Sequence, residues 1–160
     1  VILKTAFDWA HRIHTPLEAD FIYDQGVSCI RLTLLLPRAD SSCVLVVDDQ
    51  ITAIRMYQRY LAKTSVQVIG IQEADQVILE AGKLQPSVII LDVMMPGLSG
   101  LDVLKQIKET LPDIPVILLT GRGSTREGID GMKQGAFDYL MKPVDIEDLI
   151  KKMHEAIKGR

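Results

Sequence analysis

The chain has 160 residues and a formal net charge of −3, with acidic and basic side chains interspersed, which argues against direct nucleic-acid binding because no basic stripe is available to neutralise phosphates. Apolar residues make up 48% but aromatics only 5%, so a core must be built from Val, Ile and Leu, a composition that favours an α/β layer architecture. Cys29 and Cys43 show neither metal-ligand spacing nor a disulfide framework and no signal peptide is evident, which together point to a reducing, cytoplasmic compartment.

In chain order, residues 1–42 lack the rhythm of residues 43–160. The apolar run Ile30 to Leu36, interrupted by Arg31, is far shorter than the roughly 20 residues a bilayer crossing needs and is a strand candidate, so no membrane association is expected. Arg38-Ala39-Asp40-Ser41-Ser42 reads as a polar linker, and a boundary is placed after residue 42. From Cys43 onward, short β-branched runs alternate with amphipathic stretches, the pattern of βαβ units around a parallel sheet. The predicted strands are Val44 to Val47, Val66 to Gly70, Val88 to Leu91, Val116 to Leu119 and Asp138 to Met141; the predicted helices are Ile51 to Ala62, Ala74 to Leu84, Leu101 to Thr110, Arg126 to Gln134 and Ile146 to Lys158. Gly135 is a C-terminal stop for the fourth helix and Asp145 an N-cap for the fifth. Right-handed crossovers then give a flavodoxin-like, doubly wound five-stranded parallel sheet in the order 2-1-3-4-5, with helices on both faces.

Acidic residues fall where this sheet would open a crevice. Asp48 and Asp49 end the first predicted strand and Asp92 ends the third, and these two strands are neighbours in that order. Three converging carboxylates repel unless a cation sits among them, and hard oxygen ligands in a partly hydrated site suit Mg²⁺. The fourth and fifth strands bring Thr120, a hydroxyl donor, and Lys142, an ammonium, to the same edge, where both would face an anion such as a phosphoryl group on Asp92. Each residue alone has a plainer explanation: an Asp-Asp pair is often a loop cap, Asp before Pro and Gly a turn, Thr120 a strand residue, Lys142 a solvated charge and Tyr139 a core aromatic. Their joint occurrence at the ends of strands one, three, four and five outweighs the separate explanations.

The runs Val-Leu-Val-Val-Asp-Asp (44–49), Ile-Ile-Leu-Asp-Val-Met-Met-Pro-Gly-Leu-Ser-Gly (89–100), Leu-Leu-Thr-Gly (118–121) and Met-Lys-Pro (141–143) together resemble the signatures of response-regulator receiver domains, over residues 43–160. The resemblance implies a phosphorylation-dependent switch of a two-component phosphorelay rather than an enzyme. By it, Asp92 accepts the phosphoryl group from a sensor histidine kinase or a histidine phosphotransfer protein, and Asp49, Asp92 and the Met94 carbonyl ligate Mg²⁺, with Asp48 acting through water. Lys142 contacts the phosphoryl group and its bond to Pro143 is expected to be cis. Thr120 and Tyr139 match the switch positions, and a downstream target would read the face of the fourth helix, fifth strand and fifth helix; a homodimer formed on phosphorylation is a further option. Met94 and Arg122, each two residues beyond a site residue, flank the path of a hydrolytic water.

Two weaker resemblances, both to sensor histidine kinases, lie in residues 1–42. His11-Arg12-Ile13-His14-Thr15-Pro16-Leu17 is similar to the phosphorylated kinase box, and Gly26 to Pro37 looks like a strand that closes a kinase nucleotide domain. With no ATP lid or nucleotide box, this extension is expected to be a kinase remnant or a misassigned start, poorly anchored. The final helix is followed only by Gly159 and Arg160, so a stand-alone receiver is expected, against the C-terminal receiver of a hybrid sensor kinase and, more remotely, an aspartyl-phosphate phosphohydrolase. His154 is expected on the surface, and the methionines as core or surface filler.

Overall fold

The computed structural model describes residues 17–24, 27–34, 42–121 and 125–159. The chain divides into two units, Val1–Asp40 and Ser41–Arg160. In the first, β1 (Leu17–Asp24) pairs antiparallel with β2 (Val27–Leu34), in register from Leu17 opposite Leu34 to Asp24 opposite Val27. The strand expected around Ile30 is thus present as β2, whereas β1 was not anticipated. Its signal was there: Leu17, Ala19, Phe21 and Tyr23 alternate with Glu18, Asp20 and Asp24, the period of a strand with two unlike faces. Of the stretch similar to a kinase box, Leu17 opens β1, and residues 11–16 lie outside the described residues, as do Gly26 and residues 35–41.

In the second unit, β3 (Ser42–Val47), β4 (Val66–Ile71), β5 (Val88–Asp92), β6 (Val116–Thr120) and β7 (Asp138–Met141) form one sheet in the order β4-β3-β5-β6-β7. Every pairing is parallel, with Val47 opposite Leu91, Asp92 opposite Leu119 and Thr120 opposite Met141. Within the unit this is the order 2-1-3-4-5, the expected flavodoxin-like arrangement. Strand β3 begins at Ser42, inside the stretch read as linker, because Ser42 pairs with Val66.

The five helices are α1 (Ile51–Leu61), α2 (Val77–Leu84), α3 (Gly100–Thr110), α4 (Thr125–Lys133) and α5 (Ile146–Lys158). A tighter 3₁₀ turn, Ala74–Gln76, occupies the start of what sequence periodicity gave as one helix from Ala74, a common way for a helix to begin. Residue Gln85 ends α2 in the left-handed conformation at φ 46°, and Gly135 follows α4 at φ 93°. Asp145 caps α5 by accepting from the Glu147 and Asp148 amides. Ser99 caps α3, its side chain accepting from the Leu101 amide.

Strands β5 and β6 are buried at every position because helices cover both faces, which is why they read as unbroken apolar runs. One face contributes Leu45, Val47, Ile89, Leu91 and Leu118 to a core shared with Val77, Val103, Leu104 and Ile107. The other contributes Val44, Val46, Ile90, Ile117 and Leu119 to a second core with Ile54, Leu61, Leu149 and Met153. Each fully buried side chain of this size contributes about 1.5–3 kcal/mol, so the two cores hold the sheet against its helices on either side. Among the described residues no helix is long and apolar enough to cross a membrane.

Candidate functional site at the carboxyl ends of the strands

Strand alternation turns Val44 and Val46 to one face and Leu45 and Val47 to the other, and leaves Asp48 at the end of β3 where the strand stops. Asp92 is the last residue of β5, next to it in the sheet. Asp48 and Asp92 are 0% and 1% exposed, an environment that tolerates a carboxylate only when its oxygens are matched by donors or a cation. The donors are specific. Asp48 Oδ1 accepts from the Gln50 amide at 2.9 Å, and Asp92 Oδ1 accepts from the Met94 amide at 3.0 Å. The ammonium of Lys142, arriving just after β7, lies 2.8 Å from Asp92 Oδ2 and 3.2 Å from Asp48 Oδ2, bridging the two.

Burial works against the Lys142 charge, but the hydrogen bond and charge of Asp92, then those of Asp48, outweigh it and raise its pKa. The Lys142–Pro143 bond is cis, as expected. Asp49 completes the acidic set: ligand oxygens of Asp48, Asp49 and Asp92 all lie within 4.8 Å of one another. Asp49 Oδ1 is buried and has no hydrogen-bond partner among the described residues. Three carboxylates facing one ammonium leave the cluster with an excess of negative charge, and the orphaned oxygen marks where a cation or its water would be satisfied. The donors are hard oxygens, so the residues fit Mg²⁺.

Thr120 ends β6, fully buried, and its hydroxyl donates to the Leu140 carbonyl at 3.5 Å, a long bond that is easily exchanged for a better acceptor. Tyr139 is partly buried, packed against the core, and its ring lies on the backbone of α4: a Cβ added at Gly128 would stand 2.6 Å from the ring. Met94, on the loop after Asp92, extends an exposed side chain, and Arg122 lies outside the described residues. His154 is exposed; Met95 and Met153 are buried, while Met94, Met132 and Met141 are exposed.

The loop after Asp92 is held at close quarters. The Val93 amide donates to the Leu119 carbonyl and the Gly100 amide to the Val93 carbonyl, so α3 starts directly against the end of β5. A Cβ at Gly100 would come within 2.3 Å of the Asp92 carbonyl oxygen, so only glycine permits the approach.

Two residues near the site were not singled out from sequence. Tyr57, on α1, is 2% exposed; burial raises its pKa, Lys142 opposes that, and the charges of Asp48 and Asp92 add to it. Its apolar-stripe position in α1 reads as an ordinary core aromatic, which is why spacing did not single it out. Glu127, in the first turn of α4, lines a surface groove with Asp49, Met94, Pro96 and Ser99. A first-turn acid is common in helices, so nothing in the sequence separated it from its kind.

Residues 44–154 match the family described as response regulator receiver domain. Among curated proteins, the chain is 35% identical over 114 residues to the DNA-binding transcriptional regulator NtrC of Salmonella typhimurium, covering 71% of this chain and 24% of that protein. It is 33% identical over 123 residues to the probable transcriptional regulatory protein TcrX of Mycobacterium tuberculosis, covering 76% of this chain and 53% of that one. The chain therefore spans between about a quarter and about half the length of these relatives. Among solved structures, a response regulator receiver domain protein from Clostridium thermocellum superposes with a TM-score of 0.70 at 34% identity, over 74% of this chain and 95% of that one.

Proposed function

This chain belongs to the response-regulator receiver family, and on that premise we propose that it is a phosphorylation-dependent signalling switch whose phosphoryl acceptor is Asp92. The observation that carries the reading is the Asp92 carboxylate itself, 1% exposed at a strand end, bonded to Lys142 at 2.8 Å and grouped with two more carboxylates. A buried carboxylate with its cation already in place is a nucleophile held in one orientation.

Asp49 and Asp92, with the Met94 carbonyl, would hold Mg²⁺, and Asp48 would act through water. Bound there, the ion supplies neutralisation of the phosphoryl oxygens. The remaining work falls to the chain. An oxygen of Asp92 attacks phosphorus as the bond from phosphorus to the donor imidazole nitrogen breaks, the electron pair staying with the imidazole. Lys142, already 2.8 Å from Asp92, moves its charge from a carboxylate to the acyl phosphate formed on it. Thr120 exchanges its long bond to the Leu140 carbonyl for a phosphoryl oxygen, and the space it vacates lets Tyr139 alter its packing against α4.

The donor is a sensor histidine kinase or a histidine phosphotransfer protein in the cytoplasm, and the reader a downstream protein docking on the face formed by α4, β7 and α5, where Ile129, Met132 and Met141 are exposed. Residues 1–42 are an extension to this receiver, residues 43–160.

The test is intact mass after incubation with acetyl phosphate, with and without Mg²⁺, on the wild type and on Asp92→Asn. A labile gain of one phosphoryl group that needs both Mg²⁺ and Asp92 is expected; no gain on the folded wild type would overturn the reading.

A further inference from the structure

Glu127 presents an unusual combination for a helix-surface acid. Its Oε2 atom is buried and has no hydrogen-bond partner among the described residues, a state it shares with only one other side-chain atom there, Asp49 Oδ1. The two residues line the same groove, together with Met94, Pro96 and Ser99. A carboxylate oxygen withdrawn from water without a donor costs several kcal/mol unless a proton donor or cation comes to it. Two residues that line one groove, each with such an oxygen, point to a shared positive or proton-donating occupant.

An acid in the first turn of α4 gains the same favourable interaction with the helix dipole when it points to solvent. The spacing Ser124-Thr125-Arg126-Glu127 is that of a capping box, but a capping role is served equally by glutamine.

We infer that Glu127 is a positioning residue of the cation site, accepting hydrogen bonds from water bound to the ion that Asp49 and Asp92 hold. Glu127 stands outside the group of three carboxylates whose oxygens lie within 4.8 Å of one another, so its reach to the ion is through water. A hard divalent cation of the Mg²⁺ class keeps several waters, each with protons directed outward, and a carboxylate in that outer layer both orients the water and adds to the charge holding the ion. The groove wall carried by α4 thereby becomes part of the cation site, tying the element next to Thr120 to metal occupancy. This inference rests on the proposed Mg²⁺ site and extends it by one residue on a different element.

The experiment is isothermal titration of the full chain with MgCl₂ in the absence of any phosphoryl donor, comparing wild type, Glu127→Gln and, as a remote charge control, Glu147→Gln in the exposed first turn of α5. Glu127→Gln is expected to weaken Mg²⁺ binding about tenfold or more while Glu147→Gln stays within about twofold. Its melting temperature in EDTA is expected to be no lower than that of the wild type, since a capping role survives the change and the uncompensated charge is removed. Should Glu127→Gln fail to fold, Glu127→Asp, which keeps the charge but shortens the reach, takes its place with the same expected loss. Equal affinities of wild type and the Glu127 variant would overturn the inference alone, as would an equal loss in Glu147→Gln, which would mark a long-range charge effect. A folded wild type that binds no Mg²⁺ would overturn the inference together with the cation site on which it rests.

Discussion

At the scale of single residues, the arrangement turns on Lys142 standing between two buried carboxylates. The ammonium is what allows Asp48 and Asp92 to be charged and dry at once, so its removal leaves two like charges at close range. Lys142→Met is expected to destabilise the protein in EDTA by about 2–3 kcal/mol, below the value for a wholly buried pair because the Lys142 side chain is 31% exposed. Adding Asp48→Asn should return part of that loss, since it removes one of the repelling charges. Urea unfolding of both single variants and the double variant measures the coupling, and strict additivity would show that the three groups do not act as a unit. Sequence alone made most of this set legible, because carboxylates, hydroxyl and ammonium all sit at or just past the ends of short apolar runs that read as strands. Glu127 and Tyr57 were not legible: the first is distinguished from other helix acids only by the burial of one oxygen, and the second from other stripe residues only by what lies above it.

Among the elements, β7 is an edge strand of the sheet with Leu140 alone buried, and it is fastened from outside by Lys152 of α5 bonded to Asp138. The hydrogen bond from Asp138 is the main cause of the raised Lys152 pKa; burial opposes it, and the charges of Asp138, Asp148 and Glu155 add to it. A base whose pKa is raised by folding lends its full stability below the unfolded value, about 10.4 for lysine, and loses it as pH climbs through the folded value. Lys152→Met is therefore expected to cost about 0.2–1 kcal/mol, constant between about pH 6 and pH 9 and shrinking at higher pH. Thermal unfolding across that range reads the difference, and a loss that grows with pH would reverse the assignment. Element ends were the least legible part of the fold. Gln85 takes a left-handed conformation with no glycine to announce it, and the 3₁₀ turn at Ala74 shares its apolar spacing with the helix it precedes. The unexpected β1 has a different cause: its alternation is clear, but a short stretch similar to a kinase box overlapped its first residue.

For the molecule as a whole, the two cores that flank the sheet are built, among the described residues, from residues 44 to 156. The chain shortened to residues 41–160 is expected to melt within about 2 °C of the full chain, inside the shift of about 4 °C that 1 kcal/mol produces in a domain between the 60–100-residue and 150–250-residue classes. Differential scanning calorimetry would show it, and a fall of 10 °C or more would mean that residues 1–40 contribute to the stability of this unit, on the order of 2–3 kcal/mol.

Strand β5 is the middle of the five and is buried along its whole length, with Asp92 as its last residue. The phosphoryl mark proposed for Asp92 would be written at the end of a fully buried central strand, which has two packed layers and a neighbour on each side to keep it still. News of it has to be carried by parts with room to yield: the loop bearing Met94, the α4 backbone under the Tyr139 ring, and the edge strand β7. Fidelity of storage and freedom to report would in this way be assigned to different places, so that variation in the yielding parts can retune the message without disturbing the place where it is kept.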